Sequence, residues 1–446
     1  MATSRRIGFV STRFAGTDGV SLEAQKWAAV LQRLGHQCFY FCGECDRPAD
    51  ISMVVPEAFY RNPVIDSINQ TVFTSAWGEH LERYKAENTP TDHHPDFFSI
   101  YFRPRQVTEK IQELKTFLKE KLYEFARHFS IEVLIVENAL TIPVNLPLGL
   151  ALTEFIAETG IPVIAHHHDF YWERQRFLNN SVADILSTAF PPLLPSIRHV
   201  VINSIQAHAL ASRIGVNAML IPNVMDFDTP PAEPDGYADN ARSDLGLLAD
   251  QFLILQPTRI IQRKGIEHAI ELVRRLDLPA KLVISHAAGD EGTDYEKRIV
   301  EFADLLDVVV NFESDIVAPH RGTTSDGRRV YSLADIYPLA DLVTYPSFVE
   351  GFGNAFLEAV YYKRPLLVNN YSIFEADIKP KGFHVVEFDG FISDKTLEAV
   401  RDILAHPLRY TEQWEANFEL ARRYYSYTML ERRLSVLLAD CFGEAI

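Results

Sequence analysis

Short apolar runs alternate with amphipathic stretches along most of the chain. IGFVS (7–11), CFYFC (38–42), VLIVE (133–137), PVIAH (162–166) and HVVIN (199–203) are near-continuously hydrophobic and predict strands buried on both faces. A second series follows: FLILQ (252–256), KLVIS (281–285), VVVNF (308–312), LVTYP (342–346) and PLLVN (365–369). After the first run, GVSLEAQKWAAVLQRLGH places Leu22, Trp27, Val30 and Leu31 at helical spacing, with Gly35 as cap. Buried strands separated by helices predict parallel sheets covered on both faces. DFDTPPAEPDGYADNARSD (226–244), rich in Pro, Asp and Gly, divides the two series and is the expected linker. The pattern therefore predicts two doubly wound α/β domains, 1–225 and 245–424. An insert at about 52–130 decorates the first, and its stretch 107–128 alternates Lys and Glu, which predicts a solvated helix face and not a membrane anchor.

Length agrees with two domains, since 446 residues exceed one typical core. A formal net charge of −17 argues against a sequence-independent grip on nucleic acid or anionic lipid, so an anionic ligand needs a local cluster of donors. The apolar run Ile7 to Val10 is too short for a signal peptide, and no window approaches ~18 apolar residues. The expected location is the cytoplasm, without stable membrane association. Of the four cysteines, Cys42 and Cys45 have metal or redox spacing in CGEC, but no second Cys or His pair stands at zinc-finger distance. They are expected to be reduced thiols at a strand end.

The segment YPSFVEGFGNAFLEAVYYKRP (345–365) concentrates the chemistry. LVTYP ends at Pro346, so Ser347 to Gly353 form the loop beyond a strand's carboxyl end, where open α/β sheets bind ligands. A helix beginning at Asn354 offers unpaired N–H groups and a partial positive charge, a seat for phosphate. Gly351 and Gly353 allow close backbone approach. Glu358 lies one turn on, ~6 Å along the helix, where it can accept both hydroxyls of a ribose. Glu350 faces whatever lies beyond the phosphates. Ribose, diphosphate and a further polar group in a row describe a nucleotide sugar. In QPTRIIQRKGIEHAIELV (256–273), Arg259 and Lys264 flank another strand-to-helix loop, where cations could neutralise a departing diphosphate.

PSFVEGFGNAFLEAV resembles the glutamate–seven residues–glutamate motif of family 4 retaining glycosyltransferases of the GT-B fold, and PTRIIQRKG resembles their arginine–lysine motif. YSLADIYPLADLVTYPS, GTDGVSLEAQKWAAVLQRLGH, IPVIAHHHDF and VINSIQAHALASRIGVNAMLIPNV are similar to other segments of that family, in the same order. The resemblance implies two Rossmann-like domains facing a central cleft, with the last helix (425–446) returning to the first. By it, Glu358 binds the ribose, while Glu350 with Gly351, Phe352, Gly353, Asn354, Ala355 and Phe356 holds donor sugar and phosphates. Arg259 and Lys264 neutralise the diphosphate, Gly19 closes on the phosphates, and His168 faces the donor sugar. Arg259, Lys264, Glu350 and His168 are thus the candidate catalytic residues. GTDGV departs from the family's double glycine, and Asp18 is a candidate acceptor contact.

The implied reaction moves a hexose from a nucleoside diphosphate sugar, as co-substrate, with retained configuration and no divalent metal. His166 and His168 can share one face of a strand, but with Asp169 alone they do not make a convincing zinc site, and DFD (226–228) reads as a turn. Arg13, Arg103, Arg105, Arg174 and Arg176 cluster in the first half, which suggests a small anionic acceptor. Sucrose-phosphate synthase and mannosylglucosyl-3-phosphoglycerate synthase both fit, leaving the acceptor open between a sugar phosphate and a glycerate derivative. UDP, GDP and ADP, glucose and mannose, and monomer and homodimer also stay open. The alternative is a nucleotide-sugar epimerase, which needs no acceptor.

Overall fold

The computed structural model describes residues 4–16, 18–73, 103–286, 294–312 and 315–444. The chain forms two compact units, the first comprising Met1–Ile202, Gln206–Ile221 and Leu430–Ile446, the second Asn203–Ile205 and Pro222–Met429.

The first unit holds a seven-stranded sheet of β1 (Arg6–Val10), β2 (Gln37–Cys42), β3 (Ser52–Val54), β4 (Val133–Glu137), β5 (Val163–His167), β6 (Ile197–Val201) and β7 (Met219–Leu220). All neighbours are parallel, in the order β3–β2–β1–β4–β5–β6–β7. Parallel strands need crossovers. Three of them are the helices α1 (Gly19–Arg33), α2 (Arg105–His128) and α3 (Leu146–Thr159). Gly35 follows α1 with φ +89, the left-handed turn that glycine permits past a helix end.

Two expectations change here. The stretch from 52 onward is not a decoration: Ser52–Val54 is the sheet's edge strand, and α2 buries Ile111, Leu114, Leu118, Leu122 and Phe125. Its Lys and Glu face is not merely solvated. Lys115 and Lys119 reach Glu154 on α3 at 2.6 and 3.0 Å, and Lys119 also reaches Glu158 at 2.7 Å. A one-dimensional charge pattern cannot show which helix supplies the opposite charges. NTPTDHHPDFF (88–98) lies outside the described residues.

The second unit holds a six-stranded sheet of β8 (Phe252–Gln256), β9 (Ala280–Ile284), β10 (Val310–Phe312), β11 (Leu342–Tyr345), β12 (Leu366–Asn369) and β13 (Val386–Phe388). Its order is β10–β9–β8–β11–β12–β13, again parallel throughout. α4 (Ile266–Leu276) follows β8 and α5 (Asn354–Tyr361) follows β11. Ile254, Ile270, Leu282, Leu342 and Leu367 belong to one buried cluster between sheet and helices. In each sheet the third and fourth strands in space, β1 and β4, then β8 and β11, mark the reversal of strand order. Loops leave those strands in opposite directions and open a crevice.

The units meet in sequence at Ile221 and Pro222, and 226–244, expected as linker, lies within the second unit. Phe227 is buried there, its ring 5.3 Å from that of Phe418 and 5.7 Å from that of Tyr361. Tyr237 donates to the carbonyls of Gly322 and Val330. Pro and Gly made this segment look like a joint, whereas its aromatic residues tie it down. No helix among the described residues is long and apolar enough to cross a membrane.

Candidate active site

The loops that leave β8 and β11, with the first turns of α5, contain the second unit's candidate residues. They are joined by a bond from the Phe348 amide to the Arg263 carbonyl, 2.9 Å. Two glycines permit the fit. Gly265 has φ +60, and a Cβ there would lie 2.5 Å from the Pro346 carbonyl; Gly353 has φ +139, and a Cβ there would lie 2.6 Å from the Tyr371 hydroxyl. That hydroxyl instead donates to the Phe352 carbonyl at 2.7 Å.

Glu350 has a side chain only 8% exposed on this loop and bonds the Lys264 ammonium through Oε1, while its Oε2 accepts from Arg263 Nη1 at 3.0 Å. Burial alone would raise the Glu350 carboxyl, but Lys264 and Arg263 outweigh it and hold it below its usual range. Burial pushes Lys264 the other way, downward, with the Arg263 and Arg259 charges adding to it against Glu350. Arg259 is half-buried beside this pair, and its guanidinium makes no hydrogen bond or ion pair with a described residue. A guanidinium in that position can take a phosphate in bidentate fashion.

α5 begins at Asn354, as the sequence predicts, and its first amides have no preceding helical carbonyl to bond. Phe356 N turns back to the Gly353 carbonyl at 3.1 Å. Ala355 and Phe356 are buried; Asn354 and Gly351 are half-buried. Asn354 Oδ1 accepts from Asn223 Nδ2 at 2.8 Å. One turn on, Glu358 Oε2 accepts from the Tyr337 hydroxyl at 2.7 Å, which fixes the carboxylate's orientation. Tyr337 is fully buried and stacks on Tyr362, with centroids 5.1 Å apart. A cavity of about 590 Å³ elsewhere in this unit is lined by His384, Glu387, Lys395 and Trp414, and none of the candidate residues lines it.

In the first unit the candidate residues separate. His168 is 7% exposed, with Nε2 2.9 Å from Glu137 Oε2, its amide bonded to Asn138 Oδ1 at 2.9 Å and its carbonyl accepting from Gln206 at 2.9 Å. His166 shares its face, its Nδ1 2.9 Å from the same carboxylate oxygen and its ring stacked on Trp27 at 4.0 Å. Burial would raise Glu137, yet the two histidines hold it well below the usual range. Burial favours neutral His166, whereas for His168 Glu137 overcomes burial and raises it. His167 points the opposite way and pairs with His199 at 2.9 Å. Among the described residues, Glu137, His166 and His168 are the one group of three whose donor atoms lie within 4.8 Å of one another.

Asp18 is occupied within the fold, where its side chain caps α1 by accepting from Val20 N and Ser21 N at 3.1 and 3.2 Å and pairs with Arg13 at 3.1 Å. Gly19 is the exposed first residue of that helix. Arg174 forms a forked pair with Asp169, the shortest contact 2.6 Å. Arg176 lies over Phe177 at 4.5 Å. Arg105 is 88% exposed in a pair with Glu109 one turn along, and Arg103 grips Asp184 at 2.8 and 2.9 Å. The structure thus gathers the second unit's residues into one loop cluster and gives most of the first unit's arginines a carboxylate partner. Sequence reasoning passed over Arg263, Tyr337 and Glu137. Glu137 carried a signal, a charged residue closing an otherwise apolar strand.

No protein-family model matches the chain. Mannosylglucosylglycerate synthase of Thermotoga maritima is 30% identical over 461 residues, covering 96% of this chain and 99% of that protein. The Petrotoga mobilis protein of the same name is 31% identical over 403 residues, covering 85% and 86%. Among solved structures, sucrose-phosphate synthase of Thermosynechococcus elongatus has a TM-score of 0.61 over 98% of this chain and 99% of that one, at 15% identity. Anabaena HepE in complex with UDP and glucose has a TM-score of 0.60 over 98% and 100%, at 13% identity. These two likenesses concern the fold, which is GT-B. On the strength of the Thermotoga and Petrotoga relatives, this chain belongs to the family of GT-B glycosyltransferases that includes the mannosylglucosylglycerate synthases.

Proposed function

We propose that the protein transfers a mannosyl group from a nucleoside diphosphate sugar to a glycerate-type acceptor, glucosylglycerate foremost, with retained anomeric configuration. The observation that carries this reading is the cluster at the β8/β11 crevice: Lys264 fixed by Glu350, Arg259 unengaged beside it, and the open first turn of α5. Such a place suits a diphosphate, and Glu358, oriented by Tyr337, suits the ribose beside it. The names of the two relatives support mannose and the glycerate acceptor.

In the proposed chemistry the bond between the anomeric carbon and the diphosphate oxygen breaks first, leaving an oxocarbenium-like sugar. Lys264 and Arg259 stabilise the charge growing on the diphosphate, and no divalent ion is needed there. The acceptor hydroxyl attacks from the side the diphosphate left, and its proton passes to a phosphate oxygen, so configuration is retained. Glu350, already bonded to Lys264 and Arg263, is not the nucleophile.

The test is release of nucleoside diphosphate from UDP-, GDP- and ADP-hexoses, each alone and with glucosylglycerate, 3-phosphoglycerate or a sugar phosphate. One donor is expected to turn over only with an acceptor present, giving an α-linked product. Conversion of donor alone to another hexose would make the protein an epimerase. Lys264→Ala is expected to lower turnover by ~10²–10³-fold with the circular dichroism spectrum unchanged; undiminished turnover would remove the mechanism.

A further inference from the structure

Glu137 closes β4, and His166 is its direct register partner on β5. His168, two positions on, returns to the same side of the sheet. Strand pairing brings Glu137 and His166 together, and His168 directly follows β5, its amide held by Asn138 Oδ1 at 2.9 Å. One carboxylate oxygen, Glu137 Oε2, lies 2.9 Å from His166 Nδ1 and 2.9 Å from His168 Nε2. Neighbouring ligands around a metal with bonds of ~2.0–2.2 Å stand ~3 Å apart; both carboxylate-to-imidazole separations have that spacing, and all three donors lie within 4.8 Å of one another.

Hydrogen bonding within the trio does not satisfy it. His168 can donate to Glu137 Oε2, but Glu137 Oε1 and His166 Nε2 are buried without a hydrogen-bond partner, and His166 Nδ1, though 2.9 Å from Glu137 Oε2, is not aligned for a hydrogen bond to it. Buried polar atoms nearly always have partners, so orphans gathered at one spot need an explanation. The supports for a cation are present. Trp27 fixes the His166 ring by stacking, Asn138 and Gln206 fix the His168 backbone, and the fully buried Glu23, paired with Lys26 at 2.9 Å, acts on both rings.

We propose that Glu137, His166 and His168 form a three-ligand site for a borderline divalent cation, zinc foremost. Two imidazoles and one carboxylate suit zinc, cobalt or manganese, whereas magnesium and calcium prefer oxygen ligands. Three protein ligands leave a position for water or a substrate group. A metal on His168 Nε2 places the ring's hydrogen on Nδ1, so the edge turned away from Glu137 becomes a fixed donor. That last consequence rests on the transferase reading; the cation site does not.

The test uses the full chain, stripped with a chelator, loaded singly with Zn²⁺, Co²⁺ or Mn²⁺, and desalted. Wild type is expected to retain about one equivalent of zinc by elemental analysis, to gain visible absorption with cobalt, and to melt at a higher temperature when loaded. Glu137→Gln and His166→Ala are expected to lose the retained metal. His199→Ala, which removes the partner of His167 on the other side of the strand, is expected to keep it. Retention below ~0.1 equivalent of every ion by wild type, or undiminished retention in Glu137→Gln, overturns the site. The wild-type loading decides the matter even where a variant does not fold. It is independent of donor turnover, so its failure and that of the transferase reading are told apart.

Discussion

Cys42 and Cys45 show how one spacing can give two unlike thiols. Cys42 ends β2 fully buried, and a hydrogen bond to Cys45 together with burial pushes its thiol up. Cys45 is half-buried, and the Cys42 thiol as donor brings it down to about 6, against the pull of burial. Cys38 is pushed up to about 12 and Cys441 to about 11 by burial. At pH 7 Cys45 is therefore expected to be alkylated first by iodoacetamide, read by peptide mass; labelling of Cys441 at an equal rate would contradict this. At this scale the sequence was most legible where a charged residue stands on the loop past an apolar strand, as Lys264 and Glu350 do. It was silent on who holds whom. Glu350 was expected to face the sugar and is bonded to Lys264 and Arg263, because a partner 86 or 87 positions away is visible only once β8 and β11 are neighbours.

The elements were legible where their apolar period was strong. β4, β8 and β11 lie within the runs that predict them, β1 starts one residue before its run, and α5 starts at Asn354 as expected. β3, β7 and β13 were missed because strands of two or three residues register only inside a longer apolar run, as β10 does in VVVNF, and these three have none. α1 shows a different loss. Asp18 attracted attention as a departure from a glycine pair, yet its carboxylate satisfies two amides and the Ser21 hydroxyl at the start of that helix. Asp18→Ala is expected to lower stability by about 1 kcal/mol, while Asp18→Asn keeps most of it. Equal melting temperatures for Asp18→Ala and wild type would show that the cap contributes nothing.

At the scale of the whole molecule, two α/β bodies were legible from the two strand series, and the expected joint at 226 falls four residues past the start of the second unit at Pro222, but the packing of 226–244 was not legible. Pro and Gly mark a turn without saying whether the turn is packed, and Phe227 is. Global stability carries a mark of the site as well. Because the Glu350 carboxyl is held below its unfolded value, its contribution is complete above the ordinary carboxylate range and is lost as pH falls through the lowered value. Wild type is expected to lose more unfolding free energy than Glu350→Gln between pH ~5 and ~3; parallel curves in urea titrations would contradict it. The division of the chain has a temporal consequence. The segment Leu430–Ile446 belongs to the first unit, where Leu430, Leu434, Leu437 and Leu438 are buried and where Arg198 meets Asp440. A ribosome making this protein has therefore delivered all of the second unit before the first can close. The body that begins first finishes last, and until its final helix emerges it waits with an apolar flank uncovered.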